Sequence, residues 1–101
     1  MIIYNVTIQV ETDIVTDWLT WLKEEHIPEI LATGCFHDAT LLQLLEPQDE
    51  EGVTFAVQYK ANTESDYQRY IDIHADTMRQ KGLDTWGGRF IAFRSLMKVI
   101  H

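Results

Sequence analysis

The sequence predicts an α+β fold with elements in the order βαββαβ: four strands in one antiparallel sheet and two helices on one of its faces. Two observations carry this. Segments at Ile2–Val10 and Val53–Lys60 alternate apolar and polar side chains with a period of two, as strands with one covered face do. Two other segments repeat apolar residues every three to four positions, as helices lying on a sheet do.

The first strand places Ile2, Tyr4, Val6, Ile8 and Val10 on one face and Ile3, Asn5, Thr7 and Gln9 on the other. β-Branched side chains run through it, in keeping with an extended chain. The first helix is expected to start near Asp13, a residue type that caps helices. Its apolar stripe is Val15, Trp18, Leu19, Leu22 and His26, widened by Ile14, Trp21 and Ile30. Pro28 lacks the N–H that would bond to Glu24, so a kink or break is expected there, with one short turn after it. Gly34 closes the segment.

The second strand is expected from about Phe36 to Glu46, with leucines serving both faces. Pro47 to Gly52 reads as an acidic turn. In the third strand Val53, Phe55, Val57 and Tyr59 alternate with Thr54, Ala56, Gln58 and Lys60. Thr63 caps the second helix, with Asp66 three residues on as in a capping box. Its stripe is Tyr67, Tyr70, Ile71, His74 and Met78, and Gly82 is expected to end it. After Trp86-Gly87-Gly88 the fourth strand, Arg89 to Ile100, puts Ile91, Phe93, Met97 and Val99 on one face. This is a ferredoxin-like arrangement. The apolar faces of Tyr4 and Tyr59 should meet the helices. The opposite face still carries apolar residues, which suggests that a second copy of the chain covers it.

Composition narrows the function. The 101 residues suit a single domain, 1–101, that buries its own core. A net charge of −8 argues against nucleic acid and anionic membranes as partners. Cys35 is the lone cysteine, so no internal disulfide is expected. With neither a signal peptide nor a long apolar run in view, the expected location is cytoplasmic.

The stretches IIYNVT (Ile2 to Thr7), WLKEEHIPEILATGCF (Trp21 to Phe36) and GGRFIAFRSL (Gly87 to Leu96) resemble a small bacterial family of unknown function. That family is similar to the dimeric α+β barrel superfamily. The resemblance implies two ferredoxin-like protomers packed sheet to sheet, with helices outside. It implies no single activity, since such barrels include cofactor-free monooxygenases, haem-degrading enzymes, isomerase-like proteins and ligand-sensing modules.

Tyr4, Tyr59, His26 and His74 are the candidate ligand-binding residues, because all four should point into the layer between sheet and helices. His26 or His74 could serve as a general base there. The same four could instead fill the layer as packing residues. Asn5 and His74 resemble two residues of haem-degrading barrels, but Asn5 belongs to the face opposite Tyr4. No metal set is expected: His26 and Glu29 lack a third ligand at useful spacing. Cys35 reads as a buried structural thiol. Arg89 or Arg94 could hold an acidic ligand, or pair with a carboxylate of the chain. No cofactor is expected. Three functions stay open: a dimeric module binding a small apolar or acidic ligand, a cofactor-free monooxygenase or isomerase, and an interaction subunit without a pocket.

Overall fold

The computed structural model describes residues 1–48 and 50–101; Asp49, within the expected acidic turn, lies outside them. The strands are β1 (Ile2–Val10), β2 (Asp38–Gln43), β3 (Val53–Ala61) and β4 (Phe90–Lys98). They form one antiparallel sheet in the order β2-β3-β1-β4. The helices are α1 (Val15–Trp21), α2 (Ile27–Ala32), α3 (Glu64–Ile73) and α4 (Ala75–Trp86). The order of elements and the sheet are those of a ferredoxin-like α+β fold.

Register follows from the alternation. Tyr4 pairs with Tyr59, Val6 with Val57 and Ile8 with Phe55 on one side of β1. Val10, Ile8, Val6 and Tyr4 meet Phe90, Ala92, Arg94 and Leu96 on the other. Ile8, Val10, Tyr4, Phe55, Val57 and Tyr59 are buried. Trp18 and Leu22 from the first helical arm and Tyr70, Ala75 and Met78 from the second are buried with them. The sheet face bearing Tyr4 and Tyr59 is thus the helix-covered one. On the other face Ile91, Phe93 and Met97 are exposed, Phe93 by 68%.

Both helical arms are divided, the first near the interruption expected at Pro28 and the second where the sequence suggested a single helix. In the first, Pro28 does not break the arm. The chain widens into a π turn over Leu22–His26, in which the Ile27 N–H donates to the Leu22 carbonyl. Pro28 then sits in the first turn of α2, where its missing N–H costs nothing. In the second arm the division falls at His74, whose φ of −115° departs from helical geometry.

Three end points differ from expectation. Asp13 does not cap α1: a short 3₁₀ turn, Thr12–Ile14, precedes that helix, and no side chain caps it. The Asp13 carboxylate is drawn instead to Arg89, which also holds Glu11. Gly82 does not end the second arm; α4 continues to Trp86 and stops at Gly87, whose φ of 61° suits a residue without Cβ. β2 is shorter than the apolar run, because its leucines beyond Gln43 leave the ladder after one more bond, Leu44 N–H to Thr54 C=O. The Thr63 cap is as expected, its hydroxyl accepting from the Asp66 N–H at 3.1 Å.

Candidate functional site

Between the helices and the sheet lies a cavity of about 60 Å³. β1 and β3 supply its floor through Tyr4 and Tyr59, the first arm supplies Trp21 and His26, and α4 supplies Met78 and Arg79. Arg94 reaches it from β4. At one end the aromatic rings are closely packed. Tyr4 lies 5.9 Å from Phe36, 6.1 Å from Tyr59 and 5.8 Å from Tyr70 between ring centroids. Offset and tilted contacts at these distances are favourable for π systems.

His26 is positioned by the π turn, an irregularity often found at functional sites. Its ring stacks on Trp21 with centroids 4.4 Å apart and planes 19° from parallel. Burial lowers its pKa to about 4; Glu29 opposes that shift and Lys81 adds to it. His26 is therefore neutral at pH 7, with a donor and an acceptor nitrogen.

Tyr59 and Tyr70 are both held protonated. Burial pushes the Tyr59 hydroxyl up, with Tyr70 and Tyr4 adding to the effect. Burial and Tyr4 likewise push Tyr70 up, while Arg79 and Arg94 pull against them. Arg79 donates from Nη2 to the Tyr4 hydroxyl at 3.3 Å, a contact that raises its own pKa. Its Nε is buried without a partner.

The structure brings together three of the four residues singled out from the sequence: Tyr4, Tyr59 and His26. His74 stands apart. It occupies the bend between α3 and α4, stacks on Tyr70 at 6.3 Å and does not line the cavity. Asn5 lies on the open sheet face, where Nδ2 donates to Thr7 Oγ1 at 3.0 Å and approaches Ser95 Oγ at 3.5 Å. It cannot act in one layer with Tyr4. Cys35 is buried in the core, and its thiol lies 4.0 Å from the Thr33 carbonyl. Arg89 is occupied by Glu11 and Asp13, whereas Arg94 faces the cavity. Among the described residues no group of three histidine, cysteine or acidic side chains is placed to hold a metal. None of their helices is long and apolar enough to cross a membrane.

Arg79 was not visible as a site residue. Its signal was the stripe Ala75, Met78, Arg79 and Gly82 on one face of α4, with Ala75, Met78 and Gly82 buried. Reading the arm as one helix through His74 hid that stripe, because the bend there begins a new helix with its own buried face.

Solved structures of similar shape bear out the fold. A dimeric ferredoxin-like protein from an uncultured marine organism superposes with a TM-score of 0.73 at 11% identity, over 100% of this chain and 96% of its own. An EthD family protein from Bacillus halodurans gives 0.68 at 10% identity, over 99% and 100%. An EthD-like protein from Ralstonia eutropha gives 0.58 at 12%, over 98% and 93%. At these identities the likeness is one of fold. Comparison with curated proteins finds no match. The family profile described as a domain of unknown function, DUF4286, matches residues 1–100, and the chain belongs to that family.

Proposed function

We propose that this chain is a single-domain, dimeric, cytoplasmic module that binds a small molecule in the layer between sheet and helices. The observation that carries the reading is the cavity at Tyr4, Tyr59 and His26, apolar in most of its lining yet edged by hydroxyl, imidazole and guanidinium groups. A mainly apolar recess with a few convergent polar groups is the usual form of a small-molecule site. Binding is favoured over turnover by the state of His26. A general base works best with a pKa near the working pH, and one lowered to about 4 removes a proton poorly at neutrality. His74 does not line the cavity, which leaves it badly placed to replace His26.

The second half of the reading is self-association through the open sheet face. Solved structures with this fold include proteins described as dimeric. The strand register puts only two charged residues on this face, Asp38 and Lys60, and they pair with each other at 3.4 Å. In a chain of net charge −8 this face could meet its own copy without like-charge repulsion. Ile91 and Phe93 would supply the apolar contact.

A thermal-shift screen of small apolar acids, quinones and haem tests the cavity. At least one compound should raise the melting temperature, and a flat response from folded protein overturns the reading. Light scattering tests the dimer: the wild type should have twice the monomer mass and Phe93→Asp the monomer mass. A monomeric wild type at micromolar concentration removes that half.

A further inference from the structure

Acidic residues outnumber lysine and arginine by 16 to 8. Where acid is in such excess, a cation that lines a cavity yet makes no ion pair calls for a reason. Lys60, Arg69, Lys81 and Arg89 make ion pairs, while Lys23 and Lys98 make none among the described residues and stand exposed to solvent away from the cavity. Of the four arginines, Arg79 and Arg94 make none among the described residues, with Asp76 acting on Arg79 only from beyond ion-pair distance, and these are the two that line the cavity. Tyr70 senses both guanidinium charges, so they converge on the same end of the layer. Arg79 carries a further sign: its Nε is a buried donor with no acceptor. Orphaned buried donors are rare in folded proteins and commonly mark the place of an absent acceptor. The Tyr4 hydroxyl that Arg79 does reach is uncharged and satisfies one of its five N–H groups.

We infer that the cavity recognises a small carboxylic acid, with the carboxylate held by Arg79 and Arg94 and a short apolar tail enclosed beside Trp21, Leu22 and Met78. This deepens the small-molecule reading above and rests on it. Guanidinium groups match a carboxylate through paired N–H donors, and such charge-assisted bonds are stronger than neutral ones. Volume sets the tail. A cavity of about 60 Å³ holds roughly four water-sized groups at about 15 Å³ each. That suits an aliphatic acid of a few carbons and excludes full enclosure of a substituted ring. The lining opposes a phosphate ester, whose larger double charge would meet mostly apolar side chains.

Calorimetric titration with butanoate, hexanoate and benzoate, each beside its amide, tests this. Butanoate should bind the wild type and butanamide should not, with benzoate weaker than butanoate. Arg94→Gln and Arg79→Gln should each weaken butanoate roughly 10- to 100-fold, the usual worth of a hydrogen bond to a charged group. Arg94→Lys should retain part of the affinity, which a loss through misfolding would not do. Arg94 is exposed, so Arg94→Gln should melt close to the wild type. Equal binding of acids and amides, or acid binding indifferent to both substitutions, overturns the inference and leaves the cavity reading standing. No binding of acids or amides at millimolar concentration overturns the inference, and a flat thermal-shift screen beside it overturns the cavity reading as well.

Discussion

The neutral state of His26 has a measurable consequence for stability. In the unfolded chain this ring takes up a proton as pH falls through about 6.5. In the folded chain it does so only near a pKa of about 4. Between these values the unfolded state binds more protons, so stability rises with pH across the window. It is fully present above about pH 6.5 and is lost as pH falls towards 4. At about 1.4 kcal/mol per pH unit the loss reaches roughly 3 kcal/mol, which the partial exposure of the ring trims to about 2. His26→Leu removes the group that titrates. Exposed carboxylates such as Asp13 and Asp38 are also held low by their partners, but they titrate in both proteins and cancel in the comparison. Urea denaturation of the two proteins from neutral pH down to about pH 4 should show the wild type losing about 2 kcal/mol relative to His26→Leu. A stability gap independent of pH would refute the reasoning. So would an NMR titration in which the His26 ring protonates near its ordinary value, because burial against Trp21 would then not be what sets its charge.

Three other substitutions have defined signs. Gly52→Ala places a Cβ 2.5 Å from the Val10 carbonyl oxygen, a clash with backbone that no rotamer relieves; chemical denaturation should show a loss of about 1–3 kcal/mol. Gly82→Ala places its Cβ 3.6 Å from Phe90 and 3.8 Å from Trp21, which is ordinary contact. Since Gly82 lies inside α4, the change should stabilise by about 1 kcal/mol and raise the melting temperature by about 4–8 °C. Thr63→Ala removes the hydroxyl that accepts from Asp66 and should cost about 1 kcal/mol in the same denaturation assay.

Strand identity and facing were legible because alternation is a direct record of which side of a sheet is covered. Tyr4, Val57 and Tyr59 are buried where the period of two placed them, and Ile91 and Phe93 are exposed on the other face. The interruptions of the helices were harder to read. A proline reports that an N–H is missing but not how the chain accommodates the loss, and here the answer was a wider turn, with α2 beginning around Pro28. A glycine reports conformational freedom or lack of bulk, and the two cannot be separated along the chain: Gly87 is used for the first and Gly82 for the second. The same ambiguity limited the site. Tyr4, Tyr59 and His26 followed from their faces, while Arg79 depended on knowing that the arm bends at His74 and that α4 buries a new face. Asp13 was misplaced for a different reason. Its strongest interaction is with Arg89, 76 residues away, and local capping rules carry no information about that.

Why the layer holds a cavity at all follows from these same features. Three tryptophans and four tyrosines are enough to fill a layer of this size, and at the Tyr4, Phe36, Tyr59 and Tyr70 end they do so ring against ring. The space occurs where bulk is withheld. Gly82 faces the cavity without a side chain, and Trp21 turns its ring towards His26 and Trp86. Glycine in the middle of α4 costs the helix about 1 kcal/mol relative to alanine, and alanine would fit there without strain. Glycine at a position that borders this space, beside two arginines that make no ion pair among the described residues, suits the binding site proposed above better than a filled interaction subunit.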